Sequence, residues 1–217
     1  MRLPSSAEVR GCARLAVTGG LVGPVVDGIH NQALLEYDAF PFEAFGLRSS
    51  LLVPPLLALA YPILGFALPK LLDASPRDDA RARRAVAAVA STTLIVKLSE
   101  AVVGDGLVGV ALVALSALLQ WALLDRSATS FKVALLAAIF GPLAELPFLA
   151  SGAWHYLSPD YFPLPDYGLN LITGPCYFAV TTDAIALARF FVGLDDDGVG
   201  GQEARRRCSS KGLASSE

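Results

Sequence analysis

Apolar residues along this chain are gathered into long runs. Six of them, at about 13–29, 50–68, 85–103, 107–124, 131–153 and 169–191, are separated by polar or aromatic stretches. An α-helix rises about 1.5 Å per residue, so runs of about 20 residues cross the roughly 30 Å of a bilayer's hydrocarbon core. The pattern predicts an all-α, polytopic membrane protein built as a bundle of six transmembrane helices. A short polar N-terminus at 1–12 precedes the membrane domain at 13–191, and the tail at 192–217 has the composition of a disordered segment. Pro54, Pro55 and Pro62 lie inside the second run and predict kinks, since neighbouring helices in a membrane bundle can satisfy the freed carbonyls. The turn around Asp105 is so short that the third and fourth helices must be antiparallel neighbours.

Composition strengthens this picture. The chain is 54% hydrophobic, with a mean hydropathy of +0.53, above the roughly 45–50% usual for soluble domains. A net charge of −3, with no basic stripe interleaved with aromatics, excludes a nucleic-acid partner. The three cysteines show no C-x-x-C spacing, so neither a zinc site nor a disulfide framework is expected, and no cofactor is implied. With six helices and both termini cytoplasmic, 15 of the 17 basic residues fall on the cytoplasmic side, as the positive-inside rule requires. Arg48 lies on the far side and Lys97 lies within a helix.

Five ionisable residues fall inside the predicted spans: Asp27, Lys97, Glu100, Glu145 and Asp183. Each costs about 2.5–3.5 kcal/mol at mid-bilayer on insertion scales, so each should face protein or water. Gly19, Gly23 and Asp27 follow one another at four-residue spacing, a small-residue stripe that ends in a carboxylate. Depth along the helices puts Asp27, Lys97, Glu100 and Glu145 at one level toward the far side, with His30 beside Asp27 and with Asp183 nearer the cytoplasm. Three readings are open: an ion-pair network in which Lys97 joins Glu100 and Glu145, a polar pocket for a ligand headgroup, or a site of proton transfer. No catalytic spacing and no metal-ligand spacing stands out.

Several blocks, in order, resemble the insulin-induced gene (Insig) family. They are Ser49, Ser50, Val53, Pro54 and Pro55, then Tyr61-Pro62, then Trp121, Asp125, Arg126, Ser127 and Phe131. Tyr156, Ser158, Pro159, Asp160 and Tyr161 follow, then Pro175, Cys176, Phe178 and Arg189. The resemblance covers roughly residues 12–191. It implies a multi-pass protein of the endoplasmic reticulum membrane that binds an oxysterol between its helices, holds sterol-sensing-domain membrane proteins, and so acts in cholesterol metabolism. It also implies a partner role for the aspartate of the D-R-S block, here Asp125, beside Arg126.

The expected function is a non-enzymatic regulator that binds a sterol or other lipid and controls a membrane partner. Tyr61, Pro62, Lys97, Glu100, Trp121 and Glu145 are the candidate ligand-binding residues. The buried charges leave the ligand open between a sterol, a diacylglycerol-like lipid and a polar isoprenoid. The alternatives are a membrane-embedded enzyme or small transporter using the buried carboxylates, and a structural assembly subunit. A plastid or other organelle membrane is the alternative location.

Overall fold

The computed structural model describes residues 5–72, 82–160 and 168–192. The expected disordered tail, beyond Val192, lies outside these residues, as does Tyr161 of the aromatic block.

Helix α1 spans Ser6–His30. It begins earlier than the apolar run because Ser5 and Glu8 form a capping box. The Ser5 hydroxyl accepts the Glu8 amide at 3.2 Å, and Glu8 accepts the Ser5 amide at 2.6 Å. The polar N-terminal stretch is thus the helix's first turns. The small-residue stripe brings α1 onto α2 (Val53–Pro62). A Cβ at Gly19 would meet the Leu57 carbonyl oxygen at 2.6 Å and the Tyr61 ring at 2.8 Å. Pro54 and Pro55 fall in the first turn of α2, where amide donors have no intrahelical acceptor to lose. The chain stays helical past Pro62, through a π turn at Ile63–Ala67, into α3 (Leu68–Leu71).

Helix α4 spans Ala82–Ala101 and α5 spans Gly106–Leu124. A 3-10 turn at Val103–Asp105 joins them, with Gly106 at φ 55°, a left-handed conformation that glycine adopts without penalty. The run at 131–153 divides into α6 (Ala128–Ala144) and α7 (Leu146–Ala150). Pro147 has no amide to give the Leu143 carbonyl, so the helix breaks there and leaves Glu145 at the junction. The last helix, α8, spans Thr173–Val192.

Two short antiparallel ribbons supplement the helices. Strand β1 (Leu35–Tyr37) pairs with β4 (Trp154–Tyr156), with Leu35 opposite Tyr156. Strand β2 (Pro41–Ala44) pairs with β3 (Leu47–Ser50). Phe45 and Gly46 turn that hairpin with φ of 55° and 74°. The Phe45 side chain stands fully exposed at the tip, the kind of aromatic that lies at a membrane interface.

Side-chain contacts fix the two ends of the bundle. At one end Lys70 pairs with Glu8 at 2.9 Å, Arg14 donates to the Phe191 carbonyl at 3.1 Å, and Arg189 pairs with Asp125 at 2.8 Å. The start of α1, the end of α3, the α5–α6 turn and the end of α8 therefore share a basic end, as an even number of crossings requires. The ribbons and the His30–Ser99 bond lie at the opposite end.

Five helical segments are long and apolar enough to cross a membrane: Ser6–His30, Val53–Leu71, Val103–Leu124, Ala128–Ala150 and Thr173–Val192. The sixth long helix, α4, carries Arg83, Arg84, Lys97 and Glu100 and runs the same course between the two ends. Of the membrane-crossing window of α8, 56% is buried, against 22% or less for the other four, so α8 is the axis about which they pack. Leu15, Tyr61, Ala184 and Leu187 form the core at the basic end, and Ile95, Val113, Ala134 and Phe178 belong to a larger core cluster that continues into the ribbons. Leu21, Leu94, Leu107 and Leu115 face outward, as lipid-facing residues do.

Gly19→Leu should lower the thermal midpoint of the purified protein by an amount corresponding to about 1–3 kcal/mol of overpacking. Gly104→Ala, where an added Cβ meets nothing within 4 Å, should leave the midpoint unchanged.

Candidate functional site

A cavity of about 630 Å³ lies between α1, α2, α6 and α8, within the usual range for a small-molecule site. Its walls are mainly apolar, with Leu57, Leu64, Val96 and Val180 among them. Ile63 and Phe140 line it while being 40% and 60% exposed. The mouth therefore opens sideways, on the lipid-facing surface between α2 and α6.

Polar groups gather at the ribbon end of this cavity. Asp27, at the last turn but one of α1, accepts the Tyr37 hydroxyl at 2.6 Å and the Asn31 amide at 2.7 Å, both on Oδ2. Glu145, freed from helical packing by the α6–α7 break, accepts Tyr156 at 2.6 Å and Trp154 at 3.4 Å on Oε2. Its Oε1 accepts the Tyr177 hydroxyl at 2.9 Å. Burial, with Asp27 next to it, pushes the Tyr37 hydroxyl well above its ordinary pKa, and burial together with Glu145 does the same to Tyr156. Both tyrosines therefore stay protonated and act as donors. His30 bonds Ser99 at 2.8 Å, while Asp27 bonds Tyr37 and Asn31. No direct Asp27–His30 contact is among the hydrogen bonds of the described residues, whereas His155 meets Asp38 at 2.7 Å on the ribbons.

Of the candidate ligand-binding residues, Tyr61 and Glu145 line the cavity. Pro62, Lys97, Glu100 and Trp121 lie outside it. Lys97 pairs with Glu100, three residues on, and its side chain is 61% exposed. It sits one turn before the end of α4, from where its stem can carry the ammonium toward the interface. The expected network joining Lys97 to Glu145 is therefore replaced by tyrosine donors. Trp121 donates to the Ser127 carbonyl at 3.1 Å and packs edge-on against Phe131, at the basic end. Asp183 is apart from the ribbon-end group. It accepts the Tyr61 hydroxyl at 3.2 Å, and its Oδ1 is buried with no hydrogen-bond partner.

Two elements of the site escape a search for charges. Tyr37 and Tyr177 carry donors to the buried carboxylates, yet in sequence they look like interfacial or core aromatics. Gln120 on α5 donates to Thr92 on α4 at 2.9 Å and lies 3.4 Å from the Ala179 carbonyl of α8, tying three helices. A glutamine in an apolar run is the signal that could have pointed to it.

In the turn after α5, Asp125 is buried, its side chain 4% exposed, and is held by Arg189 at 2.8 Å and by the Ser127 amide at 3.1 Å. Burial alone would raise its pKa. The Arg189 guanidinium and the hydrogen bonds from Ser127, Arg189 and Ser130 outweigh burial and hold the carboxyl below its usual value. Ser127 caps α6 by accepting the Ser130 amide. Arg126 is the exposed member of the block, at φ 59°, its side chain turned back to the Ala122 carbonyl.

These features define a polytopic helical membrane protein with a side-opening cavity between its spans. The chain is Insig-like, and divergent. It superposes on a mycobacterial Insig homolog, MvINS from Mycobacterium vanbaalenii, with a TM-score of 0.71 and 26% identity, covering 89% of this chain and 97% of that one. A crystal structure of MvINS as a cross-linked trimer matches with the same TM-score and coverage at 28% identity. No protein-family model matches the chain, and no curated protein does.

Because the folded pKa of Asp125 is depressed, its pairing stabilises the protein above the unfolded value of about 3.9 and is lost as pH falls through the folded value. Unfolding measured from about pH 6 to about pH 2 should show this loss, and Asp125→Asn should lack that component of the acid limb. At neutral pH, Arg189→Gln should cost about 3 kcal/mol, since it leaves a buried carboxylate unpaired.

Proposed function

We propose that this chain is a non-enzymatic membrane regulator that holds one lipid or sterol molecule in the cavity and, depending on occupancy, engages a membrane partner. The observation that carries the reading is the cavity itself, apolar along its length, polar at one end, and open sideways to the lipid surface. An amphiphile has that polarity profile, and a sideways mouth admits it from the bilayer without passage through water. The tail would lie along Leu57 and Leu64, with the polar end at Asp27 and Glu145.

Partner control belongs to the basic end. Asp125 is committed to Arg189, so its part is to shape the turn, and Arg126 is the residue of that turn presented outward. A sterol-sensing-domain protein is the partner class that the family resemblance supplies, and the same resemblance is the ground for the endoplasmic reticulum. The structural neighbours come from a bacterium, a cell without that organelle.

Lipid mass spectrometry on the protein purified in mild detergent tests the reading. One lipid or sterol species should be recovered at close to one per chain, and it should be lost from Ala60→Trp, which fills the cavity wall. A folded wild-type protein with no stoichiometric lipid contradicts the reading. For the partner surface, Arg126→Glu should abolish co-purification of the membrane partner while leaving the bound lipid in place, and unchanged partners would remove the role of this turn.

A further inference from the structure

The polar end of the cavity has spent its donors. Tyr37 and Asn31 give theirs to Asp27, and Tyr156, Trp154 and Tyr177 give theirs to Glu145. The Ser99 hydroxyl donates to the Val96 carbonyl at 2.7 Å, so at 2.8 Å it must accept from Nδ1–H of His30. In its neutral form the imidazole then keeps a lone pair on Nε2. Asn31, 1% exposed and lining the cavity, keeps Oδ1 buried with no hydrogen-bond partner. Its oxygen and nitrogen cannot be exchanged, because the nitrogen faces a carboxylate oxygen at 2.7 Å. What remains for a ligand at this end is a set of acceptors.

Charge narrows the choice further. Asp27 and Glu145 line the same cavity, and no lysine or arginine among the described residues lines it. A phosphate or carboxylate headgroup would meet two carboxyl groups there and no lysine or arginine. Aromatic residues also line this end. Trp154 stacks on Phe148 at 4.6 Å and meets Tyr37 edge-on at 5.9 Å, and such rings attract a cation.

We propose that the headgroup taken by this end of the cavity is a primary ammonium, so that the ligand class is a long-chain amphiphilic amine. Its N–H donors meet the carboxyl oxygens of Asp27 and Glu145, and its hydrocarbon tail runs along α2. The assignment rests on the lipid-binding reading above and specifies the headgroup.

The test uses the full-length protein in phosphatidylcholine nanodiscs, titrated with hexadecylamine, hexadecanol and palmitate, which share a tail and differ in headgroup. Hexadecylamine should bind at least about tenfold more tightly than hexadecanol, and palmitate more weakly than either. Glu145→Gln should weaken the amine about tenfold more than it weakens the alcohol. Asp27→Asn carries the same comparison if Glu145→Gln does not fold, and the wild-type ratio of amine to alcohol needs no variant. Equal binding of amine and alcohol, or tighter binding of palmitate, overturns the ammonium assignment and leaves lipid binding standing. Binding of none of the three, together with no co-purified lipid, overturns both.

Discussion

A carboxylate within a membrane span must find its hydrogen-bond donors inside the protein, and Glu145 finds three. They come from separate places: Trp154 and Tyr156 on the β4 strand, and Tyr177 on α8. One buried group therefore fixes the α6–α7 break, the β1–β4 ribbon and the central helix relative to one another. Asp27 does the same for α1 and β1 through Tyr37. A buried charge that loses a donor is costly, by about 1–3 kcal/mol or more. These bonds hold the ribbon end shut, and the cavity below it needs that closure to have a polar floor and an apolar body.

The basic end is built on a different principle. There Arg189 meets Asp125, Lys70 meets Glu8, and Arg14 reaches the last turn of α8. Here opposite charges meet directly, the Arg189–Asp125 pair largely buried and the Lys70–Glu8 pair more exposed, and they pin α8 at the end opposite to Glu145. With the axis held at both ends, α2 and α6 are left to part in the middle, where Ile63 and Phe140 flank the opening. The π turn at Ile63–Ala67, just past Pro62, lies on that edge.

Run lengths in the sequence locate the six long helices, since each run of about 20 residues corresponds to one long helical segment. The azimuth of each helix is another matter. Lys97 and Glu145 sit at similar depths, yet Lys97 points outward and Glu145 inward, since α4 turns the lysine toward Glu100 and the interface while the break at Pro147 turns the glutamate into the cavity. Tyr61 entered with the family-like block and does line the cavity, where its ring packs on Gly19 one turn past Leu57. Pro62, one residue on, faces elsewhere. Asp125 stood out as a charged residue at a helix end, but its partner Arg189 is 64 residues away and no local spacing announces the pair. The tyrosines that make the site polar were hidden because the same residue type serves as an interface anchor.

We propose the space between α2 and α6 as a binding site whose polar end is set by Asp27 and Glu145. Cryo-electron microscopy of the protein in nanodiscs, with no ligand added, tests it most directly. Elongated density should run from Leu64 to the ribbon end, with its polar terminus within hydrogen-bonding reach of Asp27 and Glu145. A cavity closed by α2 packing against α6, or one holding ordered water alone, would contradict it.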